Sequence, residues 1–224
     1  LKPRIQICGE TAISVELGDA VDPDVNGRVH DLCRRLRACG VPGVLCAVPT
    51  YRALFIHYDP WECSLERLLL GLEEICEEPP AESAGGRVIE IPVCYGGECG
   101  PDLAEVAAFH GISEEEVIAL HAGTTYRVYM IGFTPGFPYL GGLDPQLHTP
   151  RKSVPRKRVA AGSVGIADSQ TGIYSIESPG GWRIIGRTPL VLFDPRREPP
   201  FLVEAGDFIR FRPMSREDYE RSRA

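Results

Sequence analysis

No stretch of this sequence approaches the roughly 18 consecutive apolar residues of a membrane-spanning helix. No basic segment followed by an apolar one opens the chain, so no secretory signal is read; it starts at Leu1, and a few natural residues are expected before it. There is no GxxxxGK[ST], no GxGxxG after a strand, no HExxH and no GxSxG. Their absence excludes a P-loop, a dinucleotide fingerprint, a zinc peptidase motif and a serine-hydrolase elbow. The eight cysteines (8, 33, 39, 46, 63, 76, 94 and 99) include no CxxC and all fall in the first hundred residues. They read as reduced thiols acting as small hydrophobes, with Cys33, Cys46 and Cys76 at positions an apolar residue would fill. Cys94 and Cys99, which flank YGGE, are the pair that stands apart. The five histidines (30, 57, 110, 121 and 148) lack ligand spacing and read as structural. His110 and His121 close two short helices, where a cation suits the dipole. The expectation is a cytoplasmic protein with no membrane or nucleic-acid partner and no bound metal or organic cofactor.

What is present is 224 residues with 43 % hydrophobic content, enough for one large domain or two small ones. The net charge of −7 is unevenly spread. Residues 1–86 sum to −6 and residues 87–121 to −6, residues 122–192 to +5, and the last 32 residues balance. An acidic chain with one electropositive segment favours an anionic ligand or an acidic surface there. Alternation in 11–17 predicts a strand. Helical spacing from Asp22 to a stop at Gly40 predicts a helix, and 44–48 and 53–58 read as strands. Ser64 caps a second helix, and 87–93 returns to strand. This order is an α+β N-terminal domain, 1–86, closed by a linker at 77–86. Two short helices near 101–122 follow, with capping-box spacing at Asp102–Glu105 and Ser113–Glu116. From Thr124 onward TYRVYMI, GSVGIA, TGIYSI, WRIIGR, PLVLF and DFIRF read as short strands, so residues 87–224 form an all-β barrel or sandwich with that helical insert. The tail is a surface helix or a frayed end.

One dense stretch, 132–189, carries the chemistry. Phe133, Phe137, Tyr139 and Trp182 offer apolar and stacking surface. Arg151, Lys152, Arg156, Lys157 and Arg158 place five cations in eight residues. Ser163, Gln170, Thr171, Tyr174 and Ser178 add neutral hydrogen-bonding groups beside glycine-rich turns. Apolar walls, a few polar anchors and backbone that a ligand can approach are what a pocket needs. Pro135, Pro138, Pro150 and Pro155 stiffen the loops that would bind.

The motifs GFTPGFPYLGGLDP, TPRKSVPRKRVAAGSVGIA, QTGIY and SPGGWRIIGRTPLVLFDP closely resemble the B subunit of bacterial 5-oxoprolinase, as do GETAISVELGD, VPTYRALFIHYDP and IPVCYGGECGPDLAEVA upstream. The family is also known as KipI, after an inhibitor of a sporulation histidine kinase, and as allophanate hydrolase subunit 1. The resemblance implies a cyclophilin-like all-β barrel after the α+β domain. It also implies two partners, the homologous C subunit and the A subunit of 5-oxoprolinase, and ATP-dependent opening of 5-oxoproline to glutamate by the complex. On this reading Arg151, Arg156 and Arg158 hold anionic groups. Ser163, Gln170 and the amides of Gly180 and Gly181 orient the lactam, and Tyr174 and Trp182 form its wall. Phe133, Phe137 and Tyr139 line the pocket or an interface. No catalytic base is evident, so the site is expected to be completed by the C subunit and the isolated chain to be inactive. The chain departs from the family at Ala160 and Ser175, where proline is usual, and near Asp168, where glycine is. The alternatives are a KipI-like docking module for a histidine kinase, or a protein related to urea carboxylase and allophanate hydrolase. Prolyl isomerase activity would rest on fold analogy alone.

Overall fold

The computed structural model describes residues 3–77 and 86–222. The chain divides into two compact units, Leu1–Gly85 and Gly86–Ala224. Of the linker expected at 77–86, residues 78–85 lie outside the described residues. Among the described residues no helix is long and apolar enough to cross a membrane.

The first unit holds β1 (Arg4–Ile7), β2 (Ala12–Glu16), α1 (Pro23–Cys39), β3 (Val44–Pro49), β4 (Ala53–Tyr58) and α2 (Leu65–Glu77). The strands form an antiparallel sheet in the order β1-β2-β4-β3. Helix α1 starts where the Asp22 carboxylate accepts from the Asp24 and Val25 amides, with Pro23 in the first turn, and stops at Gly40 with φ 58°. Val29, Leu32 and Leu36 of α1 and Leu68, Leu72 and Ile75 of α2 pack on Ile13, Val15, Leu54 and Ile56. The opposite sheet face is open. Cys46 stands there, exposed rather than serving as a core hydrophobe, whereas Cys33 is buried and Cys76 half-buried. All eight cysteines are free.

The second unit runs β5 (Val88–Tyr95), α3 (Leu103–His110), α4 (Glu114–Gly123), β6 (Thr125–Ile131), β7 (Pro138–Gly141), β8 (Arg156–Val159), β9 (Ser163–Ala167), β10 (Gln170–Ile173), β11 (Ser178–Gly180), β12 (Arg183–Arg187), β13 (Phe208–Pro213) and α5 (Arg216–Arg221). Seven strands close a barrel in the order β10-β7-β6-β13-β5-β12-β9, and β8 and β11 pair separately. Inward residues such as Ile91, Val93, Tyr126, Val128, Leu140, Val164, Ile166, Ile185, Ile209 and Phe211 fill it. The expected strand PLVLF does not form. Pro189 cannot donate to a ladder, Leu190 N–H turns to Thr188 Oγ1, and only an isolated bridge joins Phe193 to Phe201.

Two helix-end expectations change. Ser113 and Glu116 make the full capping box of α4, but Asp102 makes no side-chain cap on α3 and is used elsewhere. His121 is not a surface cation at the end of α4; it is fully buried. Its ring stacks on Phe211 at 4.5 Å between centroids. Thr171 Oγ1 donates to Gly165 O at 3.0 Å, so it accepts from His121 Nε2 at 2.9 Å. His121 Nδ1 then accepts from the Tyr95 hydroxyl at 2.8 Å. Burial drives the imidazole pKa down from 6.5 to about 3.

The unfolded chain takes up a proton at this ring near pH 6.5 and the folded barrel only near 3, so the unfolded state binds more protons in between. The ring's contribution to stability is therefore intact above that window and lost as pH falls through it, at about 1.4 kcal/mol per pH unit. We expect side-chain NMR at pH 5 to find His121 neutral, with its proton on Nε2. A doubly protonated ring at that pH would refute this.

Candidate functional site

The aromatic residues of 132–182 meet on one side of the barrel. Phe137, Tyr174 and Trp182 are buried with Val159, Ala167 and Ile184, and Tyr139 packs against them. Ring centroids lie 4.8 Å apart for Phe137–Tyr139, 5.2 Å for Phe137–Tyr174 and 5.4 Å for Phe137–Trp182, mostly edge to face. Glycines make the room. A Cβ at Gly172 would stand 2.9 Å from the Trp182 ring, and one at Gly180 would stand 2.1 Å from the Tyr174 phenol oxygen. Burial raises the pKa of Tyr174 and of Tyr139, and nearby Arg151 opposes the shift at both.

Loop 132–137 gives its two phenylalanines different exposure, although their rings meet edge to face at 5.7 Å between centroids. Phe137 is buried in the aromatic cluster. Phe133 is 62 % exposed and has φ 63°, a conformation bulky residues avoid. Thr134 N–H donates to Gly132 O across it at 2.7 Å, the strained γ form of turn. Ser175 fixes the loop from the other side, its hydroxyl donating to Pro135 O at 2.6 Å. Ser175 thus supplies a tie that its hydroxyl alone makes possible.

The cations are less available than their number suggested. Arg156 Nη2 and Lys152 Nζ both donate to Asp102 Oδ1, at 2.7 and 3.1 Å, and Ile184 N–H donates to Asp102 Oδ2 at 2.7 Å. Asp102 is 3 % exposed. Burial pushes its pKa up, but Arg156, the Ile184 amide and Lys152 together hold it below the usual carboxylate value. Glu105, a turn further along α3, pairs with Lys152 and Arg183, which lower its pKa. Arg158 is paired with Glu177 on the exposed β8–β11 ribbon. Arg151 is different. Its guanidinium lies over the Trp182 ring at 6.0 Å, and its only ion pair among the described residues is with Asp168, 3.2 Å away and as exposed as itself. Asp168 has φ 52°, in the left-handed region that favours glycine.

Residues 3–203 match the family described as the carboxyltransferase domain, subdomain C and D. The chain belongs to that family. It is 43 % identical to the protein named as the B subunit of 5-oxoprolinase in Bacillus subtilis (strain 168), over 96 % of this chain and 95 % of that one. Identity to the protein of the same name in Escherichia coli O157:H7 is 46 %, over 95 % of this chain and 97 % of that one. The crystal structure of TTHA0988 superposes with a TM-score of 0.83 at 44 % identity; the match covers 91 % of this chain but only 40 % of that longer one. The barrel is the cyclophilin-like one that the resemblance implied.

In this carboxyltransferase-family chain the predicted site residues do not all converge on one place. Arg151, Tyr139, Trp182 and Phe137 gather at one place. Gln170 begins β10, opposite Ala167 and beside the Asp168 turn. Ser163, buried, lies at the far end of β9, where Tyr174 N–H donates to its carbonyl at 2.8 Å. About four residues of strand, on the order of 13 Å, separate Ser163 from Gln170. Arg158 sits out on the ribbon. Gly180 pairs with Arg156 across that ribbon, and Gly181 O accepts from Lys152 N–H at 2.7 Å. Sequence reasoning missed Asp102 because its spacing to Glu105 is that of a cap. The signal available was the acidic run of 87–121 facing the basic one of 122–192.

Replacing Asp102 by Ala should cost about 3–5 kcal/mol in a denaturant titration, because Arg156 and Lys152 lose a buried counter-charge. An unchanged midpoint would show that the network is ornamental. Gly180→Ala should cost about 1–3 kcal/mol by overpacking against Tyr174. Gly181→Ala, whose nearest neighbours would be 3.7 Å away, should be close to neutral. Equal effects at the two glycines would remove the steric account.

Proposed function

We propose that this chain is the B-type component of a multi-subunit 5-oxoprolinase and forms one wall of the site for a five-membered lactam that carries a carboxylate. The carrying observation is its identity, across almost its whole length, to proteins named as the B subunit of that enzyme. Arg151 is the anchor for the substrate carboxylate. An exposed ion pair is worth at most about 1 kcal/mol, so a ligand carboxylate can take the place of Asp168 on its guanidinium. Tyr139 and the Trp182 edge then face the lactam ring, and the Gln170 side chain supplies a neutral hydrogen-bonding group beside it. Arg156 and Lys152 set the backbone of the loop rather than binding substrate.

The donor set fits one carboxylate rather than a triphosphate, because Lys152 and Arg156 are held by buried Asp102, Arg158 is paired with Glu177 out on the ribbon, and Arg151 is the cation placed over the Trp182 ring. ATP then belongs to the rest of the proposed complex, the homologous C subunit and the A subunit. When bound there, ATP would activate the lactam carbonyl oxygen for ring opening. Phe133, held outward by a strained turn, is the contact offered to the C subunit.

The test is 5-oxoproline-dependent ATP turnover by this chain alone and co-purified with the C and A subunits. Turnover is expected only from the assembly, and full activity of the isolated chain would overturn the shared site. In the assembly, Arg151→Gln should lower kcat/KM by roughly 10–100-fold, mainly through KM, as expected for loss of a charged hydrogen bond worth about 1.5–3 kcal/mol. Arg158→Gln should leave it unchanged. The reverse pattern would move the anchor to the ribbon.

A further inference from the structure

Cys94 and Cys99 belong to neither the barrel core nor the candidate site. Cys94 lies near the end of β5 and Cys99 in the turn that leads to α3. Both are buried, and with Tyr219 they form a small cluster of their own, against which Met214 packs. The turn folds one sulfur back toward the other. Gly96 and Gly97 take φ 69° and 51°, and Gly100 N–H closes the turn on Gly96 O at 2.8 Å. Gly96 N–H donates to Ile185 O at 3.1 Å and Asp102 N–H to Ile184 O at 2.9 Å, so the turn is pinned to β12.

The buried thiols of the first unit are satisfied by backbone. Cys33 donates to Ala47 O at 3.7 Å and Cys63 to Ser64 O at 3.6 Å. Cys99 instead accepts from a cation: Arg216 Nη1 lies 3.6 Å from its sulfur. Arg216 belongs to α5, a six-residue helix that caps the cluster through Tyr219. The same guanidinium bonds Glu98 and Glu220, each at 2.6 Å. A guanidinium beside sulfur stabilises the negative charge that develops when sulfur attacks an oxidant. Apart from buried Tyr219, this six-residue helix is held by exposed ion pairs of Arg216 and Arg221, and a helix so held opens at low cost and admits a small solute.

We propose that Cys94 and Cys99 are a hydroperoxide-sensitive dithiol, oxidised to a disulfide beneath α5. The Cys99 sulfur attacks one oxygen of hydrogen peroxide. The O–O bond breaks, one water leaves, and Cys99 becomes a sulfenic acid. The Cys94 sulfur then attacks the Cys99 sulfur, the S–O bond breaks, and hydroxide leaves as water with the Cys94 proton. Two thiols lose two electrons, and the peroxide gains them in forming two waters. Burial and the neighbouring Cys99 push the Cys94 thiol up to about 11, in keeping with Cys94 as the second, resolving thiol. Once the bond forms, Arg216 faces a neutral disulfide in place of a charge-accepting sulfur, and α5 loosens.

The test uses the whole folded chain. After hydrogen peroxide treatment, free thiols are blocked with N-ethylmaleimide under denaturing conditions and the protein is cut with trypsin. The tryptic peptide from Val88 to Arg127 contains Cys94 and Cys99 and no other cysteine. It should lose both adducts, run two hydrogens lighter, and recover both adducts after dithiothreitol. Cys99→Ser should keep the adduct on Cys94. Hydrogen exchange at 216–222 should quicken severalfold in the oxidised form. Two full adducts after the exposed Cys8 and Cys39 have been oxidised would overturn the dithiol. A disulfide that leaves exchange in α5 unchanged would overturn its coupling to the helix.

Discussion

Asp102 is the carboxylate on which the basic side of the barrel depends. It is buried at the foot of α3, where a lone charge would be costly, and it survives there because three donors converge on it. One is the Ile184 amide of β12, one is Arg156 of β8, and one is Lys152 in the loop before β8. Those contacts fix a helix, a barrel strand, the β8–β11 ribbon and the 150–152 loop relative to one another. The loop in turn carries Arg151 to the face of Trp182. Arg183 adds a further tie, pairing with Glu105 while its Nε donates to Pro150 O at 3.2 Å.

This arrangement accounts for part of the charge asymmetry of the chain. Asp102 and Glu105 of the acidic stretch pair with Lys152, Arg156 and Arg183 of the basic one, whereas Glu90 and Glu98 pair with Arg212 and Arg216. A tally of cations along the sequence therefore overstates the positive field that a ligand meets. The cation left beside the aromatic ring is Arg151, which lies over Trp182 and is opposed by the exposed acid Asp168.

Much of the fold was legible because local signals agreed with the final packing. Asp22 and Gly40 bounded α1, alternation marked β2, and Ser113 with Glu116 opened α4. The misses share a cause. Strand β1 is short and at the sheet edge, so four residues of alternation beside the terminus carried little weight. PLVLF has strand composition, but its proline and the Thr188 hydroxyl redirect the backbone. His121 ends a helix, as its spacing implied, but nothing in α4 alone says that Phe211 and Thr171, distant in sequence, enclose it. Cys94 and Cys99 stood out by spacing, while the helix over them came from the far end of the chain. Periodicity reports which face is buried; it does not report which distant charge or ring will be there.

The segment GFTPGFPYL shows how rigidity and exposure are divided within one loop. Phe137 anchors it in the aromatic cluster, and Ser175 holds Pro135 by a short hydrogen bond. Strain at Phe133 can persist only because both ends are fixed in this way. A large apolar side chain held in solvent by a strained backbone is a poor choice for an isolated domain, since relaxing the turn would lower its energy. The cost makes sense if the ring is to be covered when another surface arrives, with little further entropy to lose. The buried phenylalanine thus serves this chain's own core, and the exposed one is the part of the loop that the proposed assembly would cover.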